Sequence, residues 1–183
     1  MYHPLFCAGG RESKSTMKKV YRNRKAVEGL PAGLISWFTP EGRAVAMVTY
    51  WLAMVGGAEP RVRASWPVRR DTCSSFWTGG DFVLNIPEGE SLPMISRFTG
   101  QGIFCLDIER DLGVTPTDGD LVQAPRIPTC PVQIECKSGS IDQDFFEPQV
   151  FGSAVLMHRG GTSLPVDTGL DICELAPFYL PES

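Results

Sequence analysis

The chain has 183 residues, 43% of them hydrophobic and 21% charged, with a net charge of −4 and a pI near 5.2. That length fits one domain able to bury a core without metal or disulfide staples, and the acidic balance argues against general nucleic-acid binding, which needs a basic face. No apolar run is long enough to span a bilayer. Residues 1–16 (MYHPLFCAGGRESKST) lack the apolar core of a signal peptide, so they are expected to be a disordered leader before a single domain over 17–183, in a cytoplasmic protein.

Fifteen prolines and nineteen glycines suit short strands and frequent turns. After a basic stretch, Met17 to Gly29, the run 33–38 and the run 43–52 flank Thr39-Pro40-Glu41-Gly42, a turn signal, and predict an antiparallel hairpin. The second run is apolar or aromatic almost throughout, which fits a strand covered on both faces, with a buried helix as the competing reading. Beyond Gly56-Gly57, Arg61, Arg63 and Ser65 alternate with Val62, Ala64 and Trp66. Asp71 or Thr72 can cap a short helix over 72–78, which Gly79-Gly80 would end.

Phe82, Leu84 and Ile86 then line one face of a strand over 81–86, and residues 91–98 suggest a short helix with Pro93 in its first turn. Residues 103–112 are ambiguous between helix and strand, and 121–125 suggest a short extended piece. Val132, Ile134 and Cys136 alternate with Gln133, Glu135 and Lys137, predicting a half-exposed strand. Residues 151–155 read as a strand kinked at Gly152, running on to His158 and the Gly160-Gly161 turn. The tail 162–183 suggests an extended arm. About seven strands with minor helices predict a small antiparallel barrel.

Six cysteines, at 7, 73, 105, 130, 136 and 173, contain no C-x-x-C pair. Reduced, mostly buried thiols are expected, with neither a metal site nor a disulfide framework. No phosphate-binding G-x-x-x-x-G-K-[ST] and no dinucleotide G-x-G-x-x-G is present, so any nicotinamide cofactor would dock transiently. Arg61, Arg63, Arg69 and Arg70 place four cations in ten residues. For Arg61 and Arg63 the expected role is charge protection of an edge strand; for Arg70 and Thr72, beside a helix start, it is an anion site. Thr49-Tyr50-Trp51 could line the edge of a planar ligand, although aromatic residues in strands are usually core. His158, alone in the folded part, has no nucleophile or acidic partner evident in the sequence.

The order Glu41-Gly42-Arg43, AMVTYWLA, GGAEPRV, RRDT, TGGDFVLNIP, then QAPRIPTCPVQIECK and FGSAVLMHR, resembles the flavin reductase-like family over residues 30–159. The resemblance implies a mainly β fold, an FMN-binding split barrel, Greek-key-like and antiparallel with a few short helices. It implies an FMN-dependent oxidoreductase of NAD(P)H:flavin reductase type. An electron carrier of flavoredoxin type, or a relative holding another cofactor, is the alternative. A homodimer is implied, with NAD(P)H or another electron donor and with room for a partner redox protein such as a monooxygenase. Matched to the family's motifs, Thr49, Tyr50, Trp51 and Leu52 would line the flavin ring. Arg70, Asp71 and Thr72 would hold the phosphate, with Ser65 near the phosphate or ribityl chain. Asn85 would support the site, and His158 matches a histidine near the last main strand. Two departures stand out: Ala44 follows the turn where the family often has asparagine, and 96–100 is at best a shortened S-G segment.

Overall fold

Turn chemistry and alternation lay down the first hairpin. β1 (Leu30–Phe38) and β2 (Ala44–Tyr50) pair antiparallel from Ala32↔Tyr50 to Phe38↔Ala44. In the turn, the Gly42 amide donates to the Thr39 carbonyl at 2.8 Å and the Thr39 amide to the Arg43 carbonyl at 2.9 Å. Gly42 sits at φ +80°, a conformation open to glycine without a Cβ penalty. The hairpin is the expected one, shortened at its far end because β2 stops pairing at Tyr50.

The computed structural model describes residues 30–50, 52–55, 59–65, 79–88, 91–101, 103, 105–142, 148–166 and 179–180. The expected helix over 72–78 and the residues of the expected leader lie outside them. The remaining strands are β3 (Ala53–Val55), β4 (Arg61–Ser65), β5 (Gly80–Ile86), β6 (Cys105–Asp107), β7 (Thr117–Asp118), β8 (Pro125–Arg126), β9 (Val132–Asp142), β10 (Gln149–Arg159), β11 (Thr162–Leu164) and β12 (Tyr179–Leu180). Two helices join them, α1 (Ser91–Gly100) and α2 (Ile108–Leu112). The main sheet runs β3-β4-β10-β9-β5-β1-β2-β6, with β11 on β10 and β12 on β1; β7 and β8 form a separate ribbon. Every pairing is antiparallel.

Among the described residues β3 and β6 are the ends of this path, so the expected barrel is split and not closed. The sheet nevertheless curls far enough for Thr49 on β2 to donate a hydrogen bond to the Ser65 carbonyl on β4, two strands that are not neighbours in it. Period-two alternation sorts the apolar residues. Ile35, Trp37, Val45, Met47, Val62, Ala64, Phe82, Leu84, Ile86, Ile134 and Val150 fill the inside of the curl. Ala32, Leu34, Ala46 and Val48 face outward against Ile95 of α1, Leu106, and Ile108 and Leu112 of α2. β2 is therefore covered on both faces, as its unbroken apolar run predicts.

The ambiguous stretch 103–112 is both elements in succession. Asp107 ends β6 in an extended conformation and caps α2, its Oδ1 accepting the Arg110 amide at 3.0 Å; Gly113 closes the helix at φ 65°.

Three expectations change. β4 is hydrogen-bonded to β3 on one side and β10 on the other, so Arg61 and Arg63 do not guard an edge. β9 is not half-exposed: Glu135 is 0% accessible because residues 119–127 cover its outer face. Cys105 is disulfide-bonded, against the expectation of reduced thiols.

Cys130 and Cys136 are free and buried. Burial pushes the Cys130 thiol up to about 12 and, with help from Glu135 and Asp81, raises Cys136 well above the usual thiol range. Native protein at pH 8 is expected to leave both unmodified by iodoacetamide, while urea-unfolded protein is labelled at both, by peptide mass spectrometry. The sign for stability follows. Above the ordinary thiol value of 9.0 the unfolded chain ionises and the folded Cys130 does not, so stability falls as pH climbs from 9.0 toward 12.

Gly152 marks the kink in β10, where the β9 register shifts. A Cβ there would overlap the Phe82 ring and press on Cys136 Cβ at 3.1 Å. Gly152→Ala is expected to destabilise by about 1–3 kcal/mol, the usual penalty of overpacking a filled core. Urea unfolding with an unchanged midpoint would contradict this.

Candidate functional site

The split brings a small polar cluster together at the end of β2 and β4. Thr49 follows Val45 and Met47 on the inner side of the curl, 0% exposed, and its hydroxyl donates to the Ser65 carbonyl. Ser65, 1% exposed, accepts at its own hydroxyl from Gln149 Nε2 at 3.3 Å. Gln149 Oε1 in turn accepts from Arg63 Nε at 3.3 Å. The Ser65 hydroxyl thus has a buried donor pointed at it and keeps its own hydrogen to give away.

The residues proposed beside Thr49 do not all face the same way. Tyr50 is half-buried and packs on the outer cluster with α1 and α2, while Leu52 is buried in the inner core, so what Leu52 can offer a ligand is backbone. β2 leaves its pairing after Tyr50 and β3 starts at Ala53, placing the crossing between two parts of the sheet at 51–52. Trp51, Arg70, Asp71 and Thr72 lie outside the described residues.

Asn85 is fully buried and occupied elsewhere. Its Nδ2 donates to Ser36 Oγ at 2.8 Å and to the Leu34 and Val83 carbonyls at 3.2 Å each, and its Oδ1 accepts the Ile127 amide at 2.9 Å. It ties residues 125–127 to β1 and β5, with Ser36 reinforcing the tie at the Pro125 carbonyl. This suits a supporting role.

His158 belongs to a second polar cluster, on the outer face of β9 and β10. Its Nε2 lies 2.7 Å from Glu135 Oε1, and its Nδ1 lies 2.9 Å from Arg126 Nη1 and 3.1 Å from Ser163 Oγ. An arginine can only donate, so Nδ1 accepts from Arg126 and Nε2 donates to Glu135. Glu135 also accepts the amides of Asp120 and Leu121, at 2.7 Å each. Arg126 further bonds Asp120 Oδ1 at 3.0 Å and the Asp118 carbonyl at 2.9 Å. Asp120, Glu135 and His158 offer ligand atoms within 4.8 Å of one another, but the Arg126 guanidinium sits among them and opposes a cation. The arrangement staples residues 118–127 to the sheet.

The two clusters stand at opposite ends of β10, since Gln149 opens that strand and His158 nearly closes it. At about 3.3 Å per residue that is on the order of 30 Å along the strand. The structure joins Thr49 and Ser65, keeps Asn85 in between as a support, and engages His158 elsewhere. It adds Gln149, which no sequence pattern marked, and Glu135, whose alternation placed it in solvent.

No protein-family model matches the sequence, and no curated protein sequence matches it. Solved structures do resemble the fold. The 2-nitrobenzoate 2-nitroreductase NbaA of Pseudomonas fluorescens superposes with a TM-score of 0.57 at 20% identity, over 86% of this chain and 76% of that one. Flavoredoxin of Desulfovibrio vulgaris (Miyazaki F) gives 0.55 at 20% identity, over 87% and 79%. The NADH:FAD oxidoreductase SgcE6 of Streptomyces globisporus C-1027 gives 0.52 at 12% identity, over 93% and 97%. The fold is thus the flavin reductase-like split barrel that the sequence resemblance implies.

Proposed function

We propose that the protein binds a flavin at the open end of the curl and is an oxidoreductase of the NAD(P)H:flavin reductase type. FMN is the proposed flavin, and a cytoplasmic homodimer the proposed form. The observation that carries this reading is the meeting of Thr49 and Ser65. Both were expected at the flavin from motif order alone, they sit on strands that are not neighbours, and their contact makes a buried polar end beside the segment leading to Arg70-Asp71-Thr72. The fold likeness to a flavoredoxin and to an NADH:FAD oxidoreductase supports it.

The residues present fit such a cofactor. A flavin mononucleotide needs hydroxyl and backbone partners along its polar edge and ribityl chain, and a cationic donor set at its phosphate. Ser65 offers a buried O–H that Gln149 orients, and the chain at Tyr50 and Leu52 offers backbone where β2 leaves the sheet. Trp51 would lie beside the ring, and Arg70 and Thr72 would hold the phosphate with Asp71 between them. Bound flavin would supply the electron- and hydride-accepting chemistry, while the protein binds it, orients it and tunes its surroundings. No acid–base dyad is needed. His158, held by Glu135 and Arg126, would act on the shape of the β9–β10 sheet rather than on the ring.

The test is direct. Purified protein is titrated with FMN and with FAD, followed by flavin fluorescence, then mixed anaerobically with NADH or NADPH. FMN binding tighter than FAD binding, with bleaching of the flavin band, is the expected result. Protein that binds neither flavin would sink the reading. Flavin binding without bleaching by either nucleotide would favour an electron carrier of flavoredoxin type, with a partner redox protein as the electron donor.

A further inference from the structure

The outward face of β4, β10 and β9 gathers three cations, of which Arg63 also donates to Gln149 at the candidate site. Arg61 and Arg63 point outward from β4, because Val62 and Ala64 between them and after them point into the core. Phe151 stands opposite Arg63 on β10, and Ser153 opposite Arg61. On the other side, Ser153 pairs with Lys137 of β9 and Phe151 with Ser140. Lys137 and Arg61 are exposed, and Arg63, Phe151 and Ser153 are half-buried. Both guanidinium carbons lie over the Phe151 ring, at 5.6 Å for Arg61 and 6.0 Å for Arg63.

Edge protection would explain such charges, but β4 has a neighbour on each side, so that explanation is gone. The spacing is compact. Arg61 and Arg63 are about 7 Å apart along the strand, and Arg61 and Lys137 about 10 Å apart across two strand spacings. Side chains of their length can bring three cationic heads onto one anion. The Phe151 ring holds the two guanidiniums by cation–π contact, which reduces the freedom lost when they close on a ligand. Acidic residues border the patch. Asp81 of β5 lies beside Lys137, between the pairs Gly80↔Gly139 and Phe82↔Cys136, its Oδ2 accepting the Gln123 amide. Glu135, two residues before Lys137, is held by the Asp120 and Leu121 amides and His158, and Asp142 lies two pairs beyond Ser140.

We infer that this face is a second anion site, built for a ligand carrying adjacent phosphate groups, with Arg61 and Lys137 as its outer donors and Arg63 on Phe151 as its floor. Guanidinium forks match phosphate oxygens two at a time, and the Ser153 and Ser140 hydroxyls add neutral donors between the cations. The pyrophosphate group could come free or as part of a nucleotide. The site adjoins the proposed flavin cradle, since Arg63 also donates to Gln149, but its outer donors Arg61 and Lys137 take no part in the Thr49–Ser65 cluster.

The experiment is isothermal titration of the full chain, without flavin, at low salt, first with inorganic pyrophosphate and then with ADP. Saturable binding is expected, weakening as sodium chloride screens the cations. Arg61→Gln with Lys137→Gln is expected to weaken it roughly tenfold or more, with an unchanged melting temperature and unchanged FMN titration. Equal affinity for the two ligands supports the site and assigns it to the free anion; tighter ADP binding supports it and assigns it to a nucleotide. Absence of binding overturns the inference, as does equal binding by the double variant. Displacement of pyrophosphate by stoichiometric FMN also overturns it, because the anion would then sit in the flavin cradle.

Discussion

Glu135→Ala is expected to destabilise the protein by about 3–5 kcal/mol, the range for removing one partner of a buried charge pair. The carboxylate is completely inaccessible and serves as common acceptor for the Asp120 amide, the Leu121 amide and His158 Nε2, with Arg126 Nε 3.9 Å away. Truncation strands two amides and an imidazole N–H without acceptors and leaves the guanidinium short of a counter-charge. For a chain of this size the loss corresponds to a fall in Tm of roughly 6–20 °C. Asp120→Ala is the control. Its carboxylate is 47% exposed and meets Arg126 at 3.0 Å, so solvent screens the pair and the expected loss is about 0–1 kcal/mol. Thermal unfolding that ranks the two variants equal would remove Glu135 from its place as the anchor of residues 119–127.

Arg70→Ala combined with Thr72→Ala is expected to weaken FMN binding by about 1.5–3 kcal/mol for each charge-assisted bond lost, roughly tenfold or more apiece. The assignment rests on sequence: a basic residue and a hydroxyl at a helix start present both a point charge and oriented amides to a phosphate. Arg61→Ala should leave FMN affinity nearly unchanged, because Arg61 lies on the outward face over Phe151. Fluorescence titration compares the variants. A comparable loss from Arg61→Ala would transfer the flavin phosphate to the β4 face and dissolve the distinction between the two anion sites.

Legibility in the sequence followed locality. The β1–β2 hairpin, β4 and β5 announce themselves because period-two alternation and a Pro-Glu-Gly turn are written within a few residues. β9 shows the same alternation, yet its polar half is buried, since what covers Glu135 is an irregular segment with no periodicity. The position of β4 inside the sheet depends on β3, only three residues long, which no window of hydrophobicity could detect. The strand-to-helix change at Asp107 was readable in hindsight from an N-cap aspartate and a glycine six residues later. At the candidate site, motif order pointed to Thr49 and Ser65 as candidates, while Gln149 joins them only because β10 returns alongside β4. His158 was found as a residue, but its partners Arg126 and Glu135 come from separate segments, and only folding reveals that both its nitrogens are taken.

β12 pairs its Tyr179 and Leu180 with Pro31 and Leu30, at the very start of β1. The first and last described strands therefore lie side by side, although nearly the whole main sheet separates them in the chain. Such a pairing makes the strands a candidate for circular permutation, with Leu180 joined to Leu30 by a linker and new termini opened at the Gly160-Gly161 turn. During synthesis this pairing can form only after the other strands of the main sheet have been made.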